Sequence, residues 1–454
     1  MKIANPNSIK KISIGLNNSQ NISFFEYFFV FTLIIYAGRA NAFVESGSLK
    51  DNVIGFLLPI ILSVILVIRW KVIFDEHFYL LLLGFGVYFV AICIKTGEIH
   101  PSYFLHYSFN FFIVYSVIKA LKSNLFKIYE RLLYYLAIVG LFGWFIQILM
   151  GGDNLFNYLN KIPGMTSFSY VTGKGVTAII YSVQPAIHAI VNLAIPRNCG
   201  YTQEPGSFGV YLCLAIFINL FITSSEKNSK KRFWILVITL VSTQSTTGYV
   251  IFIVITVFYI LSKNLSKILL LFPFAIVALI YLSTLPFMSN KIVTLLTETN
   301  TLDQLIVRSF GAEETYTPQR FTSFVITFRD FQENPVLGLG PDNENSWLNK
   351  IGARISPISG IGNLLAQFGI VGFLFFVISS IRSSFFFSKY YNYNGKILLF
   401  LIIILISISY SVIQLPLLMS FWMFKLFAPM KVNHEEVADF VLNAEKSEIK
   451  PLEI

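Results

Sequence analysis

The chain has 454 residues, of which 55% are hydrophobic and 16% aromatic, while only 13% are charged. That balance excludes an ordinary soluble domain of this size. A net charge of +10 fits a nucleic-acid binder when taken alone, but its distribution along the chain argues for another cause.

Residues Met1 to Gln20 are polar, include Lys2, Lys10 and Lys11, and have neither an apolar core nor a small-residue cleavage site. The first span is therefore expected to act as its own insertion signal. Apolar runs suited to a bilayer follow at roughly 23–41, 52–68, 78–94, 101–118, 132–150 and 206–223. After these come a bent pair within 233–262, then 267–285, 361–380, 396–413 and 415–430. The connections holding Arg69/Lys71, Lys119/Lys122/Lys127, Lys227 to Arg232, Lys263/Lys267 and Arg382/Lys389/Lys396 fall alternately, as cytoplasmic loops do. Together with both termini they hold most of the 34 Lys and Arg, so the basic excess is positive-inside bias and implies no nucleic-acid partner.

The expectation is an all-α polytopic membrane protein with about 11–12 spans and two large outer loops. Its parts are a cytoplasmic N-terminus (1–22), five spans (23–150), an outer loop (151–205), spans with a mid-membrane break near 242–248 (206–285), a larger outer loop (286–360), C-terminal spans (361–430) and a cytoplasmic tail (431–454). Cys93, Cys199 and Cys213 are too few for a disulfide framework or a metal set.

In the first outer loop, Val176 to Ile195 is apolar enough for a span but carries Gln184-Pro185 at its centre, with His188 and Asn192 beyond. It reads as a re-entrant or interfacial helix, because a full crossing would put Lys227 to Arg232 outside. Directly before the next span stands Arg197-Asn198-Cys199-Gly200-Tyr201-Thr202-Gln203-Glu204-Pro205-Gly206. Charges kept at a membrane interface are costly and usually have a task there. Further on, Ser242 to Gly248 is a polar knot in a stretch too short for two full spans and long for one, so two short helices are expected to turn there.

The second outer loop contains a marked helix, with Thr317 as cap, Pro318 at its first position and Asn334-Pro335 as stop. Phe321, Phe324, Val325, Phe328 and Phe331 form one apolar stripe, expected to lie on the membrane or on the spans beneath. Arg320 is in the first turn, and Arg329, about 900° further round, faces the other way. A cation in a first turn opposes the helix dipole unless an anion binds there, which favours Arg320 as the functional arginine. The turn Asn334 to Pro341 contains Gly338 and Gly340, and a late span opens with Gly360-Ile361-Gly362-Asn363 and continues through Gly369 and Gly372.

In their order, Arg197…Gly200…Glu204-Pro205, Ser245…Thr247-Gly248, Arg320…Asn334-Pro335…Gly338…Gly340 and Asn363…Gly369…Gly372 resemble the O-antigen polymerase family and, more distantly, the O-antigen ligases. The likeness covers roughly Arg197 to Phe376. Ligases usually carry His before that Asn, where this chain has Gly362, and often Arg after the mid-membrane Ser, where it has Thr246. The missing His favours a polymerase.

The resemblance implies a membrane glycosyltransferase of GT-C-like architecture in the bacterial inner membrane, with its active site facing the periplasm. It would transfer the growing glycan from undecaprenyl pyrophosphate to the non-reducing end of a new lipid-linked repeat unit. It would need no cofactor and no metal. Its partners would be the undecaprenyl-pyrophosphate-linked oligosaccharide, the lipid bilayer, and a chain-length regulator and flippase of the same pathway. Alternatives are an O-antigen ligase or a flippase for the same lipid-linked units.

On this reading Arg197 and Arg320 hold pyrophosphate, or else snorkel to lipid headgroups. Glu204 is the base for the attacking hydroxyl, or else pairs with Arg197. Arg39, Tyr201, Gln203 and Asn363 are substrate-binding candidates. Turn packing is the other reading for Tyr201 and Gln203, and a headgroup anchor for Arg39. Ser245 and Thr247 suit backbone satisfaction at the helix break better than substrate. Arg308, Arg329, Arg354 and Glu313-Glu314 read as solvated charges, and His188 as an interfacial His.

Overall fold

The computed structural model describes residues 22–38, 49–162, 165–170, 173–177, 180–184, 187–190, 193–263, 302–310, 316–341 and 345–428. The expected span at 267–285, both termini and Arg39 lie outside the described residues. In chain order the helices are α1 (Phe24–Gly38), α2 (Leu49–Trp70), α3 (Glu76–Thr96), α4 (Pro101–Leu121), α5 (Asn124–Met150) and α6 (Gly152–Leu159). Five short strands follow, β1 (Thr166–Tyr170), β2 (Gly173–Thr177), β3 (Ser182–Val183), β4 (Ile187–Ile190) and β5 (Leu193–Pro196). Then come α7 (Pro205–Phe221), α8 (Ser229–Ser242), α9 (Thr246–Lys263), α10 (Leu302–Ser309), α11 (Arg320–Glu333), α12 (Trp347–Lys350), α13 (Gly360–Tyr390) and α14 (Leu398–Ser409). A 3-10 turn at Ser411–Gln414 leads to α15 (Pro416–Trp422) and α16 (Phe424–Phe427).

The protein is a mainly helical, polytopic membrane fold. Among the described residues α3, α4, α5 and α13 are long and apolar enough to cross a bilayer, and five shorter apolar helices join them. The stretch expected as a span at 415–430 is instead the short pair α15 and α16, interrupted at Met423. α7 is the centre of the bundle: Phe208 and every residue from Val210 to Ile218 is fully enclosed, by α5 on one side and α8 and α9 on the other. A helix apolar all round has nothing to lose by such burial.

One end of the bundle collects the basic loops and a set of ion pairs. Glu26 meets Arg69 at 3.0 Å, joining α1 to α2. The fully buried Glu130 of α5 takes Arg232 Nε at 2.8 Å and Asn219 Nδ2 at 2.8 Å, tying α5, α7 and α8 together. Removing one partner of such a buried pair strands the other charge, at a penalty of about 3–5 kcal/mol. The expected outer loops emerge at the opposite end.

Val176 to Ile195 does not form the expected re-entrant helix. β1, β2 and β3 make an antiparallel sheet with Tyr170 opposite Gly173 and Val176 opposite Val183, and β4 and β5 form a hairpin with His188 opposite Ile195. Val176, Thr177, Val183, Ile187, Ile190 and Ile195 are β-branched, and Gln184-Pro185 interrupts any helix ladder. Apolarity here reflects strand content in a small cap on the bundle. The expected turn in the polar knot is present, since α8 ends at Ser242 and α9 starts at Thr246.

α13 is two helices joined at Gly369, whose φ of 61° and ψ of −162° are non-helical. The segment after α11 closes the break. Leu339 N–H donates to Ala366 O at 2.8 Å and Gly340 N–H to Gln367 O at 2.9 Å, while Ile370 N–H donates back to Pro335 O at 2.8 Å. Tyr88 of α3 adds its hydroxyl to Leu337 O at 2.8 Å, and Lys95 donates to Asn334 Oδ1 at 2.6 Å and also to Gly338 O. A Cβ at Gly369 would collide with the Val336 carbonyl, in a backbone region that L side chains rarely adopt. Gly369→Ala is accordingly expected to destabilise the protein by about 1–3 kcal/mol, read as a lower Tm of the purified protein in detergent; an unchanged Tm would contradict this account.

Candidate functional site

The turn from Arg197 to Glu204 is held against the end of α8. Asn198 N–H donates to Ser242 O at 3.0 Å and its Nδ2 to Ser242 Oγ at 2.8 Å. The Arg197 guanidinium donates from Nε to Thr243 O at 3.1 Å and from Nη2 to Gln244 O at 3.2 Å. These carbonyls are at the negative end of α8, where a cation is favoured. Gly200 has φ 53°, and a side chain there would enter the Phe208 ring.

Tyr201 is fully buried among Gly38, Phe208 and Tyr211, and Gln203 accepts at its carbonyl from Gln184 Nε2 at 2.7 Å. Both hold the turn to its surroundings. Burial pushes the Cys199 thiol up to about 12, so it remains neutral and has no nucleophilic character.

Glu204 is the N-cap residue of α7 but makes no side-chain capping bond. Its Oε2 instead meets Nη2 of Arg320 at 3.3 Å. The alternative of a Glu204–Arg197 bridge is thus replaced by a pair that spans two loops. Arg320 also donates from Nη1 to Ile358 O at 3.3 Å, and its guanidinium lies 4.6 Å from the centre of the Tyr410 ring. Two of the sequence-derived residues, Glu204 and Arg320, are thus brought to one place beside Tyr410.

Glycines bring these parts together. A Cβ at Gly206 would strike the Tyr410 hydroxyl, one at Gly360 the carbonyls of Ser407 and Tyr410, and one at Gly362 the Thr327 hydroxyl. The starts of α7, α11 and α13 therefore converge beside Arg320. The first N–H groups of a helix are unpaired within it and carry partial positive charge, so three such ends together form an anion-attracting region. Ser359 caps α13, its Oγ accepting from Gly362 N–H at 3.2 Å. Asn363 donates to Ser411 Oγ at 2.8 Å, placing it a turn inside α13.

Two expectations about α11 change. It starts at Arg320 with Gln319 as N-cap, two residues later than the Thr317 cap predicts. Its buried face is Thr322, Ser323, Ile326, Thr327 and Asp330, laid on α13, while Phe321 is 52% exposed and Phe324, Val325, Phe328 and Phe331 are half-buried. The inner face is closely packed where Gly362 of α13 meets the Thr327 hydroxyl. The phenyl stripe is turned outward.

Arg329 stacks 4.2 Å from the Trp347 ring, Arg354 accepts at its carbonyl from Tyr316 N–H at 3.0 Å, and His188 lies in β4. Ser245 Oγ accepts from Gly248 N–H at 3.1 Å and Thr247 shares a hydrogen bond with Ser409 at 2.9 Å, both at the α8–α9 break. Tyr410 escaped the sequence reading because it sits inside an apolar run. The only signal was the polar alternation Ser407, Ser409, Tyr410, Ser411 at the end of that run.

Residues 232–377 match the family model described as O-antigen ligase. The chain is similar to the O-antigen ligase family over this segment. No curated protein and no solved structure gives a match. The matched segment holds the α8–α9 break, Arg320, the Asn334 to Gly340 turn and Asn363, while Arg197 and Glu204 precede it. The similarity supports an O-antigen ligase- or polymerase-type role in surface polysaccharide assembly, and supports both types equally.

Asp330 anchors the segment after α11, its Oδ1 accepting from Trp347 N–H at 2.6 Å. Burial raises its carboxyl above the ordinary aspartate range, with Glu333 adding to the shift. A raised folded value means that ionisation opposes folding above it, and the opposition fades as pH falls through it. Asp330→Asn keeps an acceptor without the charge, so at neutral pH its Tm should equal or exceed that of the parent. Any advantage should shrink as pH drops towards the ordinary aspartate range; a neutral-pH Tm below the parent's would count against the assignment.

Proposed function

We propose that the protein polymerises undecaprenyl-pyrophosphate-linked oligosaccharide repeat units into a surface polysaccharide on the outer face of the inner membrane. The observation carrying this reading is the Arg320–Glu204 pair, set on Tyr410 where three helix N-termini meet. It stands at the end opposite the basic loops, which positive-inside bias assigns to the cytoplasm.

The chemistry asks for these groups. The acceptor hydroxyl oxygen bonds to the anomeric carbon of the growing glycan, and its proton passes to the Glu204 carboxylate. The bond from that carbon to the pyrophosphate oxygen breaks, and the electron pair leaves with undecaprenyl pyrophosphate. The leaving group gains negative charge beside Arg320, Arg197 and the three helix starts, which are fixed before the reaction begins. Arg197 has a second task, because it also holds the end of α8 through Thr243 and Gln244. Asn363, Tyr201 and Gln203 support the walls of the site.

The ligase reading is favoured by the family description itself. Against it stands Gly362, where ligases usually carry His: Thr327 occupies the space that a side chain there would need. The polysaccharide ladder of a deletion strain separates the two. Core plus one repeat unit is the outcome expected of a lost polymerase; core alone would point to ligation, and an unchanged ladder would remove both.

Within the polymerase reading, Arg320→Ala should lower polymer by at least about two orders of magnitude, the range for loss of one transition-state charge contact, at unchanged membrane abundance. Glu204→Gln should lower it by about two to four orders, the range for loss of a general base. Full-length polymer from Arg320→Ala would overturn the pyrophosphate assignment.

A further inference from the structure

The site as it stands presents a contradiction. Arg320 is wanted by the pyrophosphate and Glu204 by the acceptor hydroxyl, yet the two are bonded to each other. We infer that Glu204 occupies the pyrophosphate subsite on Arg320 until the donor arrives, and that the donor's phosphate displaces it and thereby frees the base. This rests on the pyrophosphate reading and adds an order of events to it.

The geometry separates a fixed edge of Arg320 from an exchangeable one. Its plane is stacked on the Tyr410 ring, and Nη1 is held by the Ile358 carbonyl at 3.3 Å. Tyr410 itself is immobilised, since its hydroxyl is seated on Gly206 and its carbonyl on Gly360. The guanidinium thus keeps its position when Glu204 departs. Nη2 is the edge turned to the carboxylate, and 3.3 Å is long for a charge-assisted bond, which is ordinarily about 2.7–2.9 Å.

The carboxylate is equally replaceable. The Arg320 and Glu204 side chains are 30% and 33% exposed, so an incoming anion reaches both. Glu204 makes no capping bond to its own helix, although it stands at the cap position. Its backbone is anchored, with the carbonyl accepting from Thr202 Oγ1 at 2.7 Å and from Phe208 N–H at 3.2 Å. A change of side-chain rotamer therefore moves the carboxylate without moving α7.

Exchange is favoured in one direction only. A pyrophosphate brings more negative charge than one carboxylate and more acceptor oxygens for a guanidinium fork. It also gains the partial positive charge at the starts of α7, α11 and α13, which one short side chain cannot neutralise together. Once displaced, the carboxylate loses its cation and becomes available for a proton. A free enzyme with Glu204 masked does not activate water or a stray hydroxyl. The base is uncovered only when a leaving group is in place, so the glycan is spared hydrolysis.

The test is binding of farnesyl pyrophosphate to the full chain in lipid nanodiscs, with parent, Glu204→Gln, Glu204→Ala and Arg320→Ala compared. Both Glu204 variants should bind roughly two- to fivefold tighter than the parent, the fold-change equivalent to losing one partly exposed competing ion pair, while their polymer falls by about two to four orders of magnitude. Two variants are used so that a folding defect in one leaves the other informative. Arg320→Ala should lose most binding. Glu204 variants that bind as the parent does, or more weakly, while Arg320→Ala still loses binding, overturn the exchange and leave the pyrophosphate site intact. Undiminished binding by Arg320→Ala overturns the pyrophosphate reading itself.

Discussion

Backbone polar groups in an apolar phase must be paired, and the half of this protein opposite the basic loops is arranged around two places where helices break that rule and are rescued. At Gly369 the rescue comes from the Pro335 to Gly340 segment, whose N–H and C=O groups replace the missing rungs of the α13 ladder. At the α8–α9 break it comes from Asn198, Arg197 and Ser245. Each repair brings an outer loop down onto the bundle at a fixed register. The first fixes α11 and hence Arg320; the second fixes the Arg197 turn and hence Glu204. The candidate site is where the two repaired regions meet.

That arrangement explains why so many of the required residues are glycines. Gly206 admits the Tyr410 hydroxyl, Gly360 the carbonyls of Ser407 and Tyr410, and Gly362 the Thr327 hydroxyl, each to a distance that a side chain would forbid. Side chains at these positions would hold the helix starts apart and dilute the field that their unpaired N–H groups produce. Thr322, Ser323, Ile326, Thr327 and Asp330 take the face against α13, and the phenyl groups face away.

Much of this was legible in the sequence where one signal dominated. Hydropathy and the alternation of basic loops predicted a polytopic helical fold, and the Ser242 to Gly248 knot predicted a break. Arg320 stood out because a cation in a first turn needs an anion, and the structure supplies Glu204. What failed were cases with two competing signals. Val176 to Ile195 is apolar like a span and β-branched like a strand, and strand pairing prevailed. The phenyl stripe of α11 was a different case, for its periodicity told which residues share a face and left open whether that face meets the membrane or the spans beneath. Tyr410 was hidden by the apolar run around it, and no local pattern pairs Glu204 with a residue 116 positions away.

The outward phenyl face of α11 makes the bilayer a structural component of the site. Phe321, Phe324, Phe328 and Phe331 lie on the helix that begins with Arg320, and α13, on which that helix is laid, itself exposes Ile370, Val371 and Leu374. Their vertical position is therefore set by where the hydrocarbon ends. A membrane thinner than this face would draw α11 inward, and a thicker one would let it rise, at fractions of a kcal/mol per Å of mismatch. Because Arg320 is tied to Glu204 and Tyr410 on rigidly packed helices, such displacements strain that pair directly. Acyl-chain length in the host membrane thus becomes a setting on the reactivity of that ion pair.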